Sequence, residues 1–127
     1  MFGLVVVALI AVLHSYIAWF EMFAWESRGP QVFSSFTPEF FAGTVSMAAN
    51  QGIYNAFLAA GLFWSLVIRD RRWQLNVATC FLLFVFVAGV VGSLTIMPRI
   101  LLIQTIPAMI VLLALWIGSG PHGKMRT

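Results

Sequence analysis

Two side chains near the start of the chain could do proton chemistry. Glu21 is a carboxylic acid within an otherwise apolar run, and His14 lies seven residues before it. Seven residues is close to two helical turns, so in a helix both share one face. A carboxyl in such a setting is an acid able to donate a proton near neutral pH, and a histidine can accept one. Asn50, Gln51, Tyr54, Asn55, Thr95, Arg99 and Gln104 bring polar groups to later apolar stretches. Tyr16, Trp19, Trp25 and Tyr54 bring rings, whose faces attract cations. The set suits proton-initiated carbocation chemistry on an isoprenoid or other lipid-like molecule. Glu21 would protonate an alkene or epoxide, the rings would steady the cation, and His14 or an amide-held water would take the final proton. Glu21 and His14 are therefore the expected catalytic residues. Trp25, Asn50, Gln51, Tyr54, Asn55, Gln104, Tyr16, Trp19 and Arg99 are the expected substrate-binding residues.

Each of these residues also has a structural explanation. Glu21 could be an interfacial carboxylate that reaches water, and His14 a neutral imidazole bonded to an amide or tyrosine. Asn50, Gln51 and Asn55 could hold helices together by hydrogen bonds, and Gly52, Gly61, Gly89 and Gly92 could permit close helix packing. Arg99 can snorkel to the surface. Glu26 and Glu39 read as solvated.

The setting is set by composition. Of 127 residues, 61% are hydrophobic and 9% charged, against about 25% charged in soluble domains. A chain this short cannot hide so much apolar surface from water, so lipid is the expected solvent. Four apolar stretches are long enough, or nearly so, to span a bilayer as helices: 2–25, 44–68, 75–97 and 100–118. Period-2 alternation is absent, which excludes a barrel pattern. The expected fold is all-α, a single four-helix integral membrane bundle of residues 1–127. Residues 26–43 read as an outer loop, with a short helix capped by Thr37 before Pro38. The second connection, Arg69 to Trp73, is short and basic, and the third is a turn at Pro98-Arg99.

Arg69, Arg71, Arg72, Lys124 and Arg126 fall on one side, and Arg28 and Arg99 on the other. The positive-inside rule then puts both termini in the cytoplasm. On that topology His14, Glu21, Asn50, Gln51, Asn55, Thr95, Arg99 and Gln104 all lie in the outer half, which predicts one polar pocket opening to the outer leaflet. The expected location is a bacterial inner (plasma) membrane, crossed several times. The +3 formal charge follows this topology and does not form a nucleic-acid footprint, so no nucleic-acid partner is expected. The expected partners are the lipid bilayer and a hydrophobic small molecule, with room for a homo-oligomer.

Several chemistries drop out. No lysine lies in an apolar stretch to form a Schiff base, and one intramembrane histidine cannot ligate haem in pairs. No Cys/His cluster has metal spacing, and neither a phosphate-binding glycine loop nor a Ser-His-Asp set is present. No metal or cofactor is expected. Cys80 reads as a small packing residue.

The stretch from His14 to Glu26 resembles the first-helix signature of domain of unknown function 1304, a family of small bacterial membrane proteins. Thr37-Pro38-Glu39-Phe40 resembles its outer loop, Ala48 to Gly61 its second helix, and Arg99 to Ala108 its fourth. The resemblance covers nearly the whole chain and implies four transmembrane helices; it implies no activity. One departure is Thr105, where the family's pattern leads to glycine. Small membrane sterol isomerases and bacterial membrane terpene cyclases look broadly similar, as bundles with a carboxylate in an aromatic pocket. Small multidrug transporters also carry a lone glutamate in the first of four helices, used for proton-coupled antiport. Against that alternative stand Glu21's place near one face and the single orientation set by the basic residues. A non-catalytic assembly subunit is the third reading.

Overall fold

The computed structural model describes residues 2–117. It is all-α, and no strand occurs among the described residues. Helix α1 runs Phe2–Phe23, α2 Trp25–Val32, α3 Pro38–Gly43, α4 Val45–Val67 and α5 Arg71–Thr95; a π-turn over Leu101–Thr105 leads into α6, Ile106–Ile117. The basic tail with Lys124 and Arg126 lies outside the described residues.

Boundaries follow local chemistry. α1 ends at Phe23 rather than residue 25 because Ala24 leaves helical geometry, at φ −127° and ψ 11°. The segment read as a loop is largely helical. Thr37 does cap α3, its Oγ1 accepting from the Phe40 N–H at 3.4 Å, with Pro38 at the first helical position. α5 starts at Arg71, four residues before the hydropathy rises, because Asp70 caps it: the Trp73 N–H donates to Asp70 Oδ1 at 2.8 Å. The last helix begins with a π-turn in which the Ile106 N–H bonds to Leu101 O. Pro107 follows at once; it has no N–H to give and its ring crowds the preceding turn, which favours the wider winding.

Among the described residues, α1 and α5 are both long and apolar enough to cross a membrane. α4 has the length but carries Asn50, Gln51 and Asn55, and Leu101–Ile117 is apolar but short.

The chain divides into two compact units, one of residues 11–60 and the other of the remainder. In the second unit α5 buries Gln74, Val77, Ala78, Leu82, Val85 and Gly89, a stripe at helical spacing. The last helix buries Thr105, Ala108, Val111 and Leu115. Gly89 is where α5 and the π-turn approach: a Cβ there would stand 3.0 Å from the Thr105 backbone nitrogen. Arg99 is exposed and Gln104 half-buried in this unit. The first unit holds most of α1, the pair α2–α3 and the first part of α4, and it carries the carboxyl.

Candidate functional site

Glu21 is half-buried near the end of α1, and the elements of its own unit explain how it is held. The α1 face in question runs Ala11, His14, Ala18, Glu21, at spacings of three and four. Ala11, His14 and Ala18 are buried, His14 completely. The α4 face opposite runs Ala48, Gly52, Asn55, Ala59, also at helical spacing, with Ala48, Gly52 and Ala59 buried. Small residues let the two backbones come close. Gly52 marks the tightest point. A Cβ there would lie 3.0 Å from the Ala18 carbonyl oxygen and 3.3 Å from the Glu21 Cβ.

That approach brings Asn55 to the acid. Asn55 Nδ2 donates to Glu21 Oε2 at 2.8 Å. The same amide nitrogen donates to the Gln51 carbonyl oxygen at 3.3 Å, one turn back on α4. Together the two contacts orient the amide toward Oε2. The bond needs only an acceptor on the acid, which the carboxylate and the neutral carboxyl both provide.

The pairing joins unlike positions along the two helices. Glu21 sits two residues from the end of α1, but Asn55 is the eleventh of α4's 23 residues. About 15 Å of α4 therefore extends beyond the acid. Glu21 thus lies near the end of its own helix, as expected, while its partner Asn55 lies near the middle of α4.

Where α1 gives way to α2, aromatic rings gather around Trp25 in a cap. Trp25 packs edge-on to Phe41 with centroids 5.2 Å apart and to Phe20 at 5.8 Å. Phe33 lies 6.0 Å from Trp25, and Phe36 stacks on Phe40 at 4.5 Å. The Trp25 Nε1–H donates to Thr44 Oγ1 at 2.9 Å, and that hydroxyl donates to the Phe40 carbonyl at 2.7 Å. This chain of bonds ties the start of α2 to the end of α3. Outside the membrane-spanning segments, Glu39 on α3 has its carboxyl held below the usual range by its own backbone N–H and by the Thr37 hydroxyl.

The structure therefore brings together some of the residues expected at the site and separates others. Glu21, Asn55 and the Gln51 backbone meet. His14 shares the Glu21 face, about 10 Å further along α1. Trp25 is built into the cap. Tyr16 and Trp19 lie about 140° to 160° around α1 from Glu21. They pair with each other at 5.7 Å, and Arg28 sits 5.3 Å over the Trp19 ring. Asn50 is exposed, about 140° around α4 from Asn55. Tyr54 is exposed beside Phe57, at 6.3 Å. Arg99 and Gln104 belong to the other unit. The role of Gln51's main chain and the phenylalanine cap were not foreseen; the density of Phe between residues 33 and 41 was the available signal for the cap.

A family model described as "Protein of unknown function (DUF1304)" matches residues 8–116. The chain is 31% identical over 98 residues to a Lactococcus lactis subsp. lactis protein described as uncharacterized protein YpaA, a match covering 76% of this chain and 81% of that one. No solved structure matches. The likeness to terpene cyclases and isomerases finds no support in these matches.

Proposed function

The chain belongs to the DUF1304 family of proteins of unknown function, and from its own residues we propose that it is a membrane-embedded acid–base enzyme acting on an isoprenoid or similar lipid-like substrate. The proposed architecture is a four-helix bundle crossing a bacterial plasma membrane, with both termini cytoplasmic. α1 and α5 supply two spans, and α4 and the π-turn with α6 supply the others. Outward-facing apolar side chains support this: Phe23, Val67 and Leu94 are 74%, 75% and 83% exposed. Water would penalise such surfaces and lipid does not. The bundle opens its polar site toward the outer leaflet.

The observation that carries the chemistry is the Asn55–Glu21 hydrogen bond. A structural tie between α1 and α4 needs only an amide, which is cheaper to place in hydrocarbon than an acid. The acid is the part that packing leaves unexplained, and proton transfer explains it. In the proposed reaction Glu21 gives its proton to a substrate alkene carbon, and the electron pair of the double bond forms the new C–H bond. In an isomerisation, a carbon next to the cationic centre then loses a proton to a water, and the freed C–H pair re-forms the double bond one position along. In a cyclisation, a second alkene of the substrate first attacks the cation to close a ring, and the new cationic centre, further from Glu21, loses its proton to His14 or to a water. Atoms balance, and no oxidant or cofactor is required. Asn55 orients the carboxyl throughout.

The test compares wild type with Glu21→Gln by native mass spectrometry and lipid extraction. Gln keeps an acceptor oxygen for Asn55, so the helix tie survives while the acid is lost. The wild type is expected to carry an isoprenoid-like molecule and to convert fresh substrate, and Glu21→Gln to bind without converting. Equal conversion by both, or no ligand on either, makes Glu21 and Asn55 structural glue.

One observation favours proton-coupled transport as a second reading: the amide that holds the acid, Asn55, lies near the middle of α4, where a two-sided carrier would place a site. Uptake of a lipophilic cation into proteoliposomes, driven by a pH gradient and abolished in Glu21→Gln, would select it.

A further inference from the structure

In the unit formed around α5 and α6, a groove of about 290 Å³ is lined by Arg72, Leu75, Asn76, Leu115 and Trp116. Ligand pockets run from about 300 to 1,000 Å³, so this one has room for a headgroup rather than a whole lipid. Arg72 and Asn76 are four residues apart on α5 and project over the same patch. Both are exposed, and neither has a hydrogen bond or ion pair among the described residues. Their neighbours are committed: Arg71 Nη1 donates to Gln74 Oε1 at 2.7 Å, and Asp70 caps the helix. The four residues from Arg69 carry a net charge of +2, three arginines less Asp70.

The rest of the lining sets the level. The groove lies at the start of α5 and the end of α6, with Trp73 and Trp116 both exposed. Indole rings favour the membrane–water interface. Leu75 and Leu115 give the groove an apolar wall, and exposed Leu83, Val87 and Leu113 continue an apolar surface away from it. A guanidinium fork matches the oxygens of a phosphodiester, and a free amide can donate to another of them.

We infer that this groove holds the phosphodiester headgroup of an anionic phospholipid, with Arg72 and Asn76 as its donors and the acyl chains lying along α5 and α6. The inference rests on the membrane location proposed above and is independent of Glu21.

The probe is phosphatidylglycerol, with phosphatidylcholine as the comparison, titrated onto the full chain in detergent and read by native mass spectrometry. The wild type is expected to retain one phosphatidylglycerol in preference to phosphatidylcholine. Arg72→Gln is expected to weaken that binding by about tenfold or more, the worth of a charged hydrogen bond. Arg69→Gln removes the same charge from the same connection but lies outside the groove. It is expected to change binding by no more than the roughly fivefold due to diffuse surface attraction. Asn76→Ala weakens binding with no change in net charge, which keeps the test open where Arg72→Gln folds poorly. Equal losses in Arg69→Gln and Arg72→Gln, or equal retention of the two lipids, overturn the site. Glu21→Gln leaves the lipid affinity unchanged, so a failed groove and a failed acid are told apart.

Discussion

Removing Asn55's amide should cost the fold a measurable and partner-specific amount. In Asn55→Ala the 2.8 Å bond to Glu21 Oε2 and the longer 3.3 Å bond to Gln51 O are both lost. The longer bond is weak by geometry, so the first dominates. A hydrogen bond to a charged group is worth about 1.5–3 kcal/mol in soluble proteins. Inside membrane bundles the measured coupling averages about 0.6 kcal/mol and reaches about 1.7. Glu21 is half-buried and the bond is short, which places the pair in the upper part of that membrane range, near 1 kcal/mol. The assay is a double-mutant cycle of Glu21→Ala and Asn55→Ala, each unfolded from mixed micelles and followed by helical circular dichroism. The cycle should return a coupling of about 1 kcal/mol, and Glu21→Gln with Asn55 intact should retain most of it. A coupling within about 0.3 kcal/mol of zero refutes the view that Asn55 holds the acid.

Three further outcomes follow from the same unit. Gly52→Ala gains about 0.5–1 kcal/mol of helix propensity, but its methyl meets Met22 and the Ala18 carbonyl; overpacking of about 1–3 kcal/mol decides the sign, so the variant should unfold earlier and lose the Glu21–Asn55 coupling. Trp25→Phe loses the bond to Thr44 and should destabilise by about 1 kcal/mol, with faster hydrogen exchange confined to residues 24–44. Thr37→Ala should let the Glu39 carboxyl titrate closer to its ordinary range, read by carbon NMR. Glu39's folded value is depressed, chiefly by its own backbone N–H and then by the Thr37 hydroxyl, so its contribution is present above the ordinary carboxylate range and is lost as pH falls through the lower folded value; the variant keeps the backbone bond and should show a smaller acid-side loss.

Hydropathy made much of the helical framework legible, because a long apolar run carries its own backbone hydrogen bonds wherever it lies. It placed α1's end and α5's start wrongly by a few residues, since Ala24's bend and Asp70's cap are local events that hydropathy does not register. It also missed α2, whose sequence WESRGPQV is polar and contains Pro30; that helix is held through its own Trp25, which packs against Phe20 and Phe41. The π-turn was hidden for a similar reason: Pro107 was visible, but the winding it favours was not drawn from it. At the site, Glu21 and Asn55 were both singled out by their cost in an apolar setting. Their pairing depends on how far α1 and α4 slide past each other, and Gly52 settles that against Ala18. The separation of Tyr16 and Trp19 from Glu21 was legible, because about 100° per residue already puts them on the far side of α1.

The central claim is that Glu21 gives a proton to a carbon of a hydrophobic substrate. The most direct measurement is deuterium incorporation: the chain reconstituted in vesicles, equilibrated in deuterated water, and supplied with an isoprenoid mixture, with products read by mass spectrometry. The account predicts a product carrying one new carbon-bound deuterium with the wild type and none with Glu21→Gln, while both bind the substrate. Equal deuterium in the two, or none in either despite bound substrate, contradicts it.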